Sequence, residues 1–413
     1  MIEVLYRICA ALDVHAKTVV ACLNQKGKKE IRTFSTMTDD LLALTDWLVT
    51  AGCEQVAMES TGVYWKPVFN LMEGVLPVIL VNAQHVKAVP GRKTDVRDCE
   101  WLCDLLRHGL LKASFIPPFE IRELRELTRY RQTLVKEQAT IANRIQRLLE
   151  GGNIKLSQVA SDILGVSSRL MLKQLAQGET DSRKLASLAR GRLKEKEAEL
   201  GRALTGRLTT AQRFVLAELV ARVEELDAAL KRVNQQVEQE VTSGANPFWG
   251  KSIELLETIP GVGERVAQTI ISEIGVEMNC FPSEKHLSSW AGMCPGNHES
   301  AGKRKSGKTR KGNKHLRVAL VQAAWAATHT KETYLAAQYW RLVKYKGKHR
   351  ALVAVGHSIL VIVYHVLARQ LSYQELGTDY FDKQNLEKQR RLFIRKLEAL
   401  GVKVTVEELP LAA

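Results

Sequence analysis

Four carboxylates in the first hundred residues are spaced as a divalent-metal site requires. Asp13 and Glu59 each close an apolar segment typical of a buried strand, and Asp95 and Asp98 lie three residues apart at a predicted helix start. A carboxylate at the end of a core strand is costly to bury unless it is paired or binds a metal. These hard oxygen ligands suit Mg²⁺ or Mn²⁺, which would activate a nucleophile and stabilise the leaving oxygen at a phosphodiester.

Each of these acids also has a purely structural explanation. Acids at strand ends often cap loops, and Asp95 alone would cap the N-terminus of a helix. For any single residue the structural explanation is the better one. The metal site is favoured because all four occur together in the order of one fold.

That fold is predicted from the segment 1–118, in which short apolar runs alternate with helical ones. The pattern predicts strands at 8–14, 17–24, 30–36, 55–60 and 77–82, with helices at 39–52 and 63–74. The predicted order is three antiparallel strands, a helix, a strand, a helix and a further strand. This is the order of a ribonuclease H-like (RuvC-like) fold. The expected class is therefore α/β for this segment, followed by α.

A basic cluster in the last third of the chain is the second candidate site. The stretch from Ser300 to Arg317 holds eight basic residues and no acid, and glycines interleave them. This pattern predicts a flexible loop that follows a phosphate backbone, because an ordinary solvated surface would also carry acids. The basic residues are Lys303, Arg304, Lys305, Lys308, Arg310, Lys311, Lys314 and Arg317.

Ser300 lies immediately before these cations. A serine hydroxyl beside many cations can attack a phosphodiester, since the cations stabilise the charge that develops on phosphorus. From chemistry alone, a simple phosphate or solvent contact is the better explanation of Ser300. Ser306 and Thr309 are weaker candidates than Ser300.

A short turn at 255–275 is the third candidate site. The sequence LLETIPGVGERVAQTIISEIG resembles a helix-hairpin-helix. Gly261 and Gly263 would leave backbone N–H groups free to hold a phosphate near a helix N-terminus. The turn can equally be a plain connection between helices, and the nearby basic cluster favours the nucleic-acid interpretation.

Apolar residues recur every seven positions in two segments of the region 119–246. They are Leu127, Leu134, Ile141 and Leu148 in the first, and Leu216, Val223, Leu230 and Val237 in the second, where Leu219, Leu226 and Val233 follow at an offset of three. The pattern predicts a coiled coil, formed within one chain or between chains, or the core of a helical domain. Arg131 and Gln138 make the first seam imperfect.

Composition limits the class of partner. The chain has 413 residues, 45% of them hydrophobic, which is enough for two or three domains with their own cores. The net charge of +15 lies mainly in 247–413 and predicts a polyanionic partner, either nucleic acid or an acidic membrane surface. The seven cysteines are scattered, as expected for reduced thiols in a cytoplasmic protein.

One uncharged run, 351–368, is the only membrane candidate in the sequence. It contains His357, Ser358 and His365 and stands alone, so it predicts a buried helix in a protein without a membrane partner. We expect four regions: 1–118, a coiled coil or helical linker at 119–246, a helical domain at 247–370 and a tail at 371–413. The tail has a basic helix around 383–400 and no assigned role.

The ordered motifs resemble those of the DEDD-type insertion-sequence transposases, a family that includes bridge-RNA-guided recombinases. They are ALDVHAKTVV, AMESTGVYW, GRKTDVRDCEWL, IPGVGERVAQTI, WAGMCPGNHESAGKRKSG and KGNKHLR. The resemblance implies a RuvC-like domain at 1–118 whose acidic tetrad is Asp13, Glu59, Asp95 and Asp98. It also implies a transposase domain at 247–370 whose serine is Ser300.

The resemblance further implies a mechanism and partners. Ser300 would form a covalent phosphoserine link to DNA, Mg²⁺ on the tetrad would polarise the phosphate, and parts from different subunits would meet in an assembled complex. The implied partners are donor and target DNA, a bridge RNA and further copies of the chain in a dimer or tetramer. Two alternatives stay open: a metal-dependent junction nuclease that activates water, and a non-catalytic nucleic-acid-binding protein.

Overall fold

The computed structural model describes residues 3–59, 62–81, 95–243, 248–296, 298–300, 303–401 and 403–405. The chain forms two compact units, residues 1–116 and 117–413. Each unit has its own hydrophobic core.

The first unit is built on a five-stranded mixed sheet. Its elements are β1 (Ile8–Val14), β2 (Thr18–Gln25), β3 (Lys28–Ser35), α1 (Thr38–Thr50), β4 (Gln55–Glu59), α2 (Trp65–Met72), β5 (Val78–Val81) and α3 (Asp95–Arg107). The strand order is β3-β2-β1-β4-β5, in which β1 is antiparallel to β2 and parallel to β4. The predicted strands and helices of this segment are all present, with ends shifted by at most two residues.

Helices cover both faces of this sheet. Along β1, Ala10 and Leu12 pack towards α1 and α2, whereas Cys9 and Ala11 pack towards α3. This explains why β1 and β2 are apolar along their whole length instead of alternating. Because side chains alternate along a strand, residue 13 lies on the face that α3 covers.

Two long antiparallel helices, α4 (Phe119–Gly151) and α9 (Thr210–Ser243), form the spine of the second unit. Gln138 Nε2 donates to Asp227 Oδ1 at 2.6 Å, and Gly151 faces Gln212 at the other end. The predicted pairing therefore occurs within one chain.

The seam between these helices differs from the prediction in one respect. Leu134 and Ile141 of α4 are buried, and the predicted positions of α9 are buried or half-buried. Arg131 is only 5% exposed, so this residue is part of the packed interior and does not leave a gap in the seam. It donates from Nη1 to Gln268 Oε1 at 2.5 Å and from Nη2 to the carbonyl oxygen of Arg265 at 3.0 Å.

The residues between the long helices, 152–209, fall within the predicted coiled coil or helical linker. They form short helices that pack on α4 and α9 and share their core. The helices are α5 (Leu156–Val159), α6 (Val166–Gln177), α7 (Ser182–Ser187) and α8 (Glu197–Ala203), with a 3₁₀ turn at Gly191–Lys196.

The rest of the second unit is a helical bundle with one small hairpin. Its elements are α10 (Phe248–Glu257), α11 (Glu264–Ile274), α12 (Glu284–Trp290), β6 (His298–Ser300), β7 (Lys303–Ser306), α13 (Lys314–Ala327), α14 (Tyr334–Lys346), α15 (Lys348–Arg369) and α16 (Tyr380–Ala399), with a 3₁₀ turn at Met278–Cys280. The flexible loop predicted for 300–317 is therefore wrong in part, because it contains β7 and the start of α13.

Helix α15 contains the uncharged run. Within the described residues it is the one helix long and apolar enough to cross a membrane, judged by length and composition alone. Its residues Val355, Ile359 and Val363 are fully buried. The structure thus confirms the buried helix predicted for this run.

Candidate active site

Asp13 and Glu59 stand side by side at the carboxyl edge of the sheet. The parallel register pairs Leu12 with Met58, so the next residues are neighbours on adjacent strands, on the face that α3 covers. Asp13 is 8% exposed, and its Oδ2 lies 3.3 Å from Nε2 of His15. Glu59 is half-buried.

The buried thiols of α3 show which way this helix runs. The Cys99 thiol donates to the carbonyl oxygen of Ala11 at 3.1 Å, and the Cys103 thiol to that of Cys9 at 3.6 Å. Burial raises the pKa of Cys99, so the thiol stays protonated and keeps its donor. Helix α3 therefore runs antiparallel to β1 and begins at the edge where Asp13 and Glu59 stand.

The register places two of the four predicted acids, Asp13 and Glu59, at neighbouring positions on adjacent strands. Carboxylates are donors that fit a divalent cation, and the backbone of Asp95 and Asp98 starts at the same edge. The Asp98 side chain is exposed, and that of Asp95 lies outside the described residues. In the described part of the chain, no group of three or more His, Cys, Asp or Glu residues could hold a metal. The full tetrad stays a prediction.

Ser300 is the last residue of β6, in the hairpin of the second unit. The antiparallel register pairs Ser300 with Lys303, and Glu299 with Arg304. The side chains of Ser300, Lys303, Arg304 and Lys305 lie outside the described residues, so the register fixes only their backbone positions. The role of Ser300 as a nucleophile stays a prediction.

The root of this hairpin is closely packed. The N–H of Gly296 donates to the carbonyl oxygen of Lys308 at 2.9 Å, and a bridge joins Pro295 to Thr309. A Cβ on Gly312 would lie 2.4 Å from the backbone nitrogen of Gly292. Only glycine permits this approach, which holds the two legs of the hairpin together.

The described cations of the basic cluster point mainly to solvent. Lys308, Arg310, Lys311 and Lys314 are exposed, and Arg317 is half-buried. Lys314 and Arg317 lie on the first turn of α13. An exposed set of cations beside a hairpin suits contact with a phosphate backbone.

The predicted helix-hairpin-helix consists of α10, the turn and α11, and its two glycines differ. Gly261 has φ +86°, and a Cβ there would lie 2.3 Å from the carbonyl oxygen of Ala323. Its conformation and close packing on α13 account for glycine at this position. A Cβ on Gly263 would meet open space among the described atoms. The phosphate contact stays a prediction for both.

Sequence reasoning missed a fully buried acid, Glu273 of α11. Arg129 donates from Nε to Oε1 at 2.7 Å and from Nη2 to Oε2 at 2.8 Å, and Arg125 Nε lies 3.3 Å from Oε2. Burial alone would raise the pKa of Glu273, but these arginines outweigh it and lower the pKa. An acid inside the apolar segment TIISEIG was the available signal.

Asn313 connects this acid to the hairpin. Its Nδ2 donates to Glu273 Oε2 at 2.5 Å, and its Oδ1 accepts from the N–H groups of His315 and Leu316 at 3.1 Å each. One side chain thus caps α13 and ties the end of the hairpin segment to α11. Through Arg129 the same network reaches α4.

Two protein-family models match the chain. One, a transposase model of the DEDD and IS110 type, matches residues 10–154, and the other, described as transposase IS116/IS110/IS902 family, matches residues 253–341. The chain belongs to the IS110 family of transposases. The transposase is therefore an enzyme that recombines DNA, as the motif resemblance predicted. The first matched range contains the four predicted carboxylates, and the second contains Ser300 and both turn glycines.

Individual relatives agree with this family. The chain is 25% identical over 330 residues to the transposase for insertion sequence element IS1111A of Coxiella burnetii, covering 78% of this chain and 79% of the relative. It is 31% identical over 126 residues to the pilin gene-inverting proteins of Moraxella bovis and Moraxella lacunata, covering 29% of this chain and 38% of each relative.

Proposed function

We propose that this transposase cuts and rejoins DNA through a covalent phosphoserine intermediate on Ser300. The serine oxygen attacks the scissile phosphorus, the bond to the leaving strand breaks, and the leaving oxygen departs as a free hydroxyl carrying the proton. A hydroxyl of the new strand then attacks the phosphoserine, and the serine oxygen regains a proton. The number of phosphodiester bonds is conserved, so no external energy source is needed.

The observation that carries this proposal is the pair of family matches, whose two ranges contain the carboxylates of the acidic edge and Ser300. Asp13 and Glu59 are register neighbours where α3 begins, and with Asp95 and Asp98 they would hold Mg²⁺ or Mn²⁺. Such a cation, when bound, supplies Lewis-acid stabilisation of phosphate oxygens. The strand order β3-β2-β1-β4-β5 supports the assignment of this unit as ribonuclease H-like (RuvC-like).

The partners we propose are donor and target DNA, a bridge RNA and further copies of the chain in a dimer or tetramer. The net charge of +15 and the exposed cations near the hairpin support binding to nucleic acid. A guide RNA would select sequence by base pairing. Sequencing the RNA that copurifies with the protein tests this, and finding no specific species would remove the guide.

Ser300→Ala is expected to abolish both the protein–DNA adduct and strand cleavage, by about 10³-fold or more, because alanine has no oxygen that could attack the scissile phosphorus. DNA affinity should stay unchanged. A denaturing gel with end-labelled substrate measures the adduct, and an electrophoretic shift measures binding. Ser306→Ala, in the same hairpin, is the matched control. Cleavage that survives in Ser300→Ala would refute the assignment.

A metal-dependent junction nuclease is the second candidate, because the acidic edge by itself could activate water. Hydrolysis by water leaves free cleaved ends and no protein–DNA adduct. The same gel therefore separates the two candidates, since a labelled adduct forms only on the phosphoserine route.

Asp13→Asn is expected to lower cleavage by about 10²–10³-fold, as for other losses of transition-state charge stabilisation. The change removes the charge while it keeps the shape of the side chain. Cleavage rate as a function of Mg²⁺ and Mn²⁺ concentration is the measurement. The control, Asp46→Asn, alters an exposed acid on α1, on the opposite face of the sheet. Equal rates and equal metal dependence in both variants would contradict the metal site.

A further inference from the structure

A groove of about 1060 Å³ lies in the second unit between the α4–α9 pair and the helices α11 and α13. Each of the four helices contributes one exposed cation to its lining: Lys136, Lys231, Arg265 and Lys314. Because each of these helices contributes one cation, an anion bound in the groove would have positively charged side chains on all sides.

The acids of the groove only partly offset these cations. Asp227 and Glu238 line it, but the Asp227 carboxylate already accepts from Gln138 and Arg169. Arg131 also lines the groove, but its guanidinium already donates to Gln268 and Arg265 of α11. Burial lowers the pKa of Arg131 to about 10, so it stays charged at neutral pH. The remaining charge available to a ligand is positive.

Two helices add to this positive field. The first turns of α11 and α13 both open on the groove, through Arg265 and Val266 and through Lys314 and His315. The N-terminal end of a helix carries partial positive charge and unpaired N–H groups. The partial positive charge of these two helix ends adds to the charge of the four cations.

Part of the lining is apolar. Val135 is 45% exposed and Val318 is 49% exposed, and the half-buried Leu230 and Val266 also line the groove. Exposed cations beside apolar side chains are complementary to a strand that has a charged backbone and flat, weakly polar bases. The volume is that of a pocket for a ligand of a few hundred Å³ or more, too small for a duplex.

We propose that this groove binds a single nucleic-acid strand, with its phosphates at the four cations and its bases against the apolar side chains. The site adds a second contact to the proposed function and does not depend on the role of Ser300. An acidic helix of a partner protein is the main competing occupant, and the experiment below is designed to detect it.

The test is strand binding by the full-length protein without divalent cations, so that no cleavage occurs. The triple variant Lys136→Gln, Lys231→Gln, Arg265→Gln is compared with Arg192→Gln, Lys194→Gln, Lys196→Gln, which removes the same charge from exposed positions of the same unit. Fluorescence anisotropy with thymidine and uridine oligonucleotides at several salt concentrations measures affinity. We expect the groove variant to lose about tenfold or more in affinity, and its salt slope to fall by about 2, since each single-strand phosphate contact contributes about 0.7.

Equal affinity and equal salt slope in the two triple variants would overturn the proposal. A photocrosslinking residue at Val318 gives a second readout in an otherwise unchanged protein. Capture of the oligonucleotide supports the strand site, and capture of another protein chain instead of the oligonucleotide refutes it. Tighter binding of the uridine strand, which is RNA, than of the thymidine strand, which is DNA, identifies RNA as the ligand. The reverse order of affinities identifies DNA. A failed Ser300 assignment would leave all these results unchanged.

Discussion

Replacing Glu273 with alanine is expected to lower the free energy of unfolding of the helical unit by about 3–5 kcal/mol. The carboxylate is fully buried and binds Arg125, Arg129 and Asn313. Its removal leaves two arginines without their counter-charge, and Asn313 loses an acceptor. Urea denaturation followed by circular dichroism measures the loss. Glu277→Ala, which changes an exposed acid beyond the end of α11, is the control and should change little.

A reciprocal exchange separates the hydrogen bond from general packing. In Asn313→Asp the residue can still cap α13, but two carboxylates face each other and the Nδ2 donor is lost. Adding Glu273→Gln gives the pair one amide and one carboxylate again, with the amide now at position 273 and the carboxylate at position 313. The total charge of the pair is then the same as in the unmodified chain. We expect the double variant to recover stability and adduct formation that Asn313→Asp loses. If the double variant is no better than Asn313→Asp, the contact does not position the hairpin.

The same acid makes part of the stability pH-dependent. The pKa of Glu273 is lowered in the folded state. Its contribution to the free energy of unfolding is therefore complete above the ordinary glutamate pKa of about 4.3. That contribution is lost as the pH falls through the lowered value. Glu273→Gln removes this dependence, so its stability should fall less steeply on acidification than that of the unmodified chain.

Gly261→Ala is expected to destabilise the same unit by at least about 2 kcal/mol, through overpacking and a left-handed backbone. The new Cβ would lie 2.3 Å from the Ala323 carbonyl oxygen and 2.6 Å from the Ala327 nitrogen, so α13 must move. Gly263→Ala, two residues away, has open space among the described atoms and should cost less than about 1 kcal/mol.

This pair also tests the predicted phosphate contact. If the N-terminus of α11 holds a phosphate, Gly263→Ala should weaken DNA binding without loss of stability, because a methyl group there obstructs the approach of a ligand. Thermal unfolding and DNA affinity are measured on both variants. Equal destabilisation by the two changes would contradict the packing role given to Gly261.

The first unit was largely predictable because its signals are local. Continuous apolar runs in β1 and β2 reflect a sheet covered on both faces. Asp13 lies near the end of β1, and Glu59 is the last residue of β4. The spacing of Asp95 and Asp98 correctly indicated a helix start. A site formed by all four acids stays a prediction, because the Asp98 side chain is exposed and that of Asp95 lies outside the described residues.

The second unit was less predictable because its decisive contacts join distant residues. Arg131 looked like a defect in a seam, since its partners Gln268 and Arg265 lie more than a hundred positions later. Asn313 looked like one residue of a basic stretch, and only the fold reveals that it caps α13 and binds Glu273. The glycines that interleave the cations suggested flexibility, whereas Gly312 is required by a close backbone crossing.

Helix α4 runs without interruption for 33 residues, about 50 Å at the rise of an α-helix. Arg125 and Arg129, near one end, hold Glu273 and through it the root of the hairpin. The short helices of 152–209 lie against its other end. Because a continuous helix is stiff, movement of the short helices at one end is expected to displace the root of the hairpin at the other. The packing of 152–209 and the position of the hairpin root are therefore linked through one continuous helix.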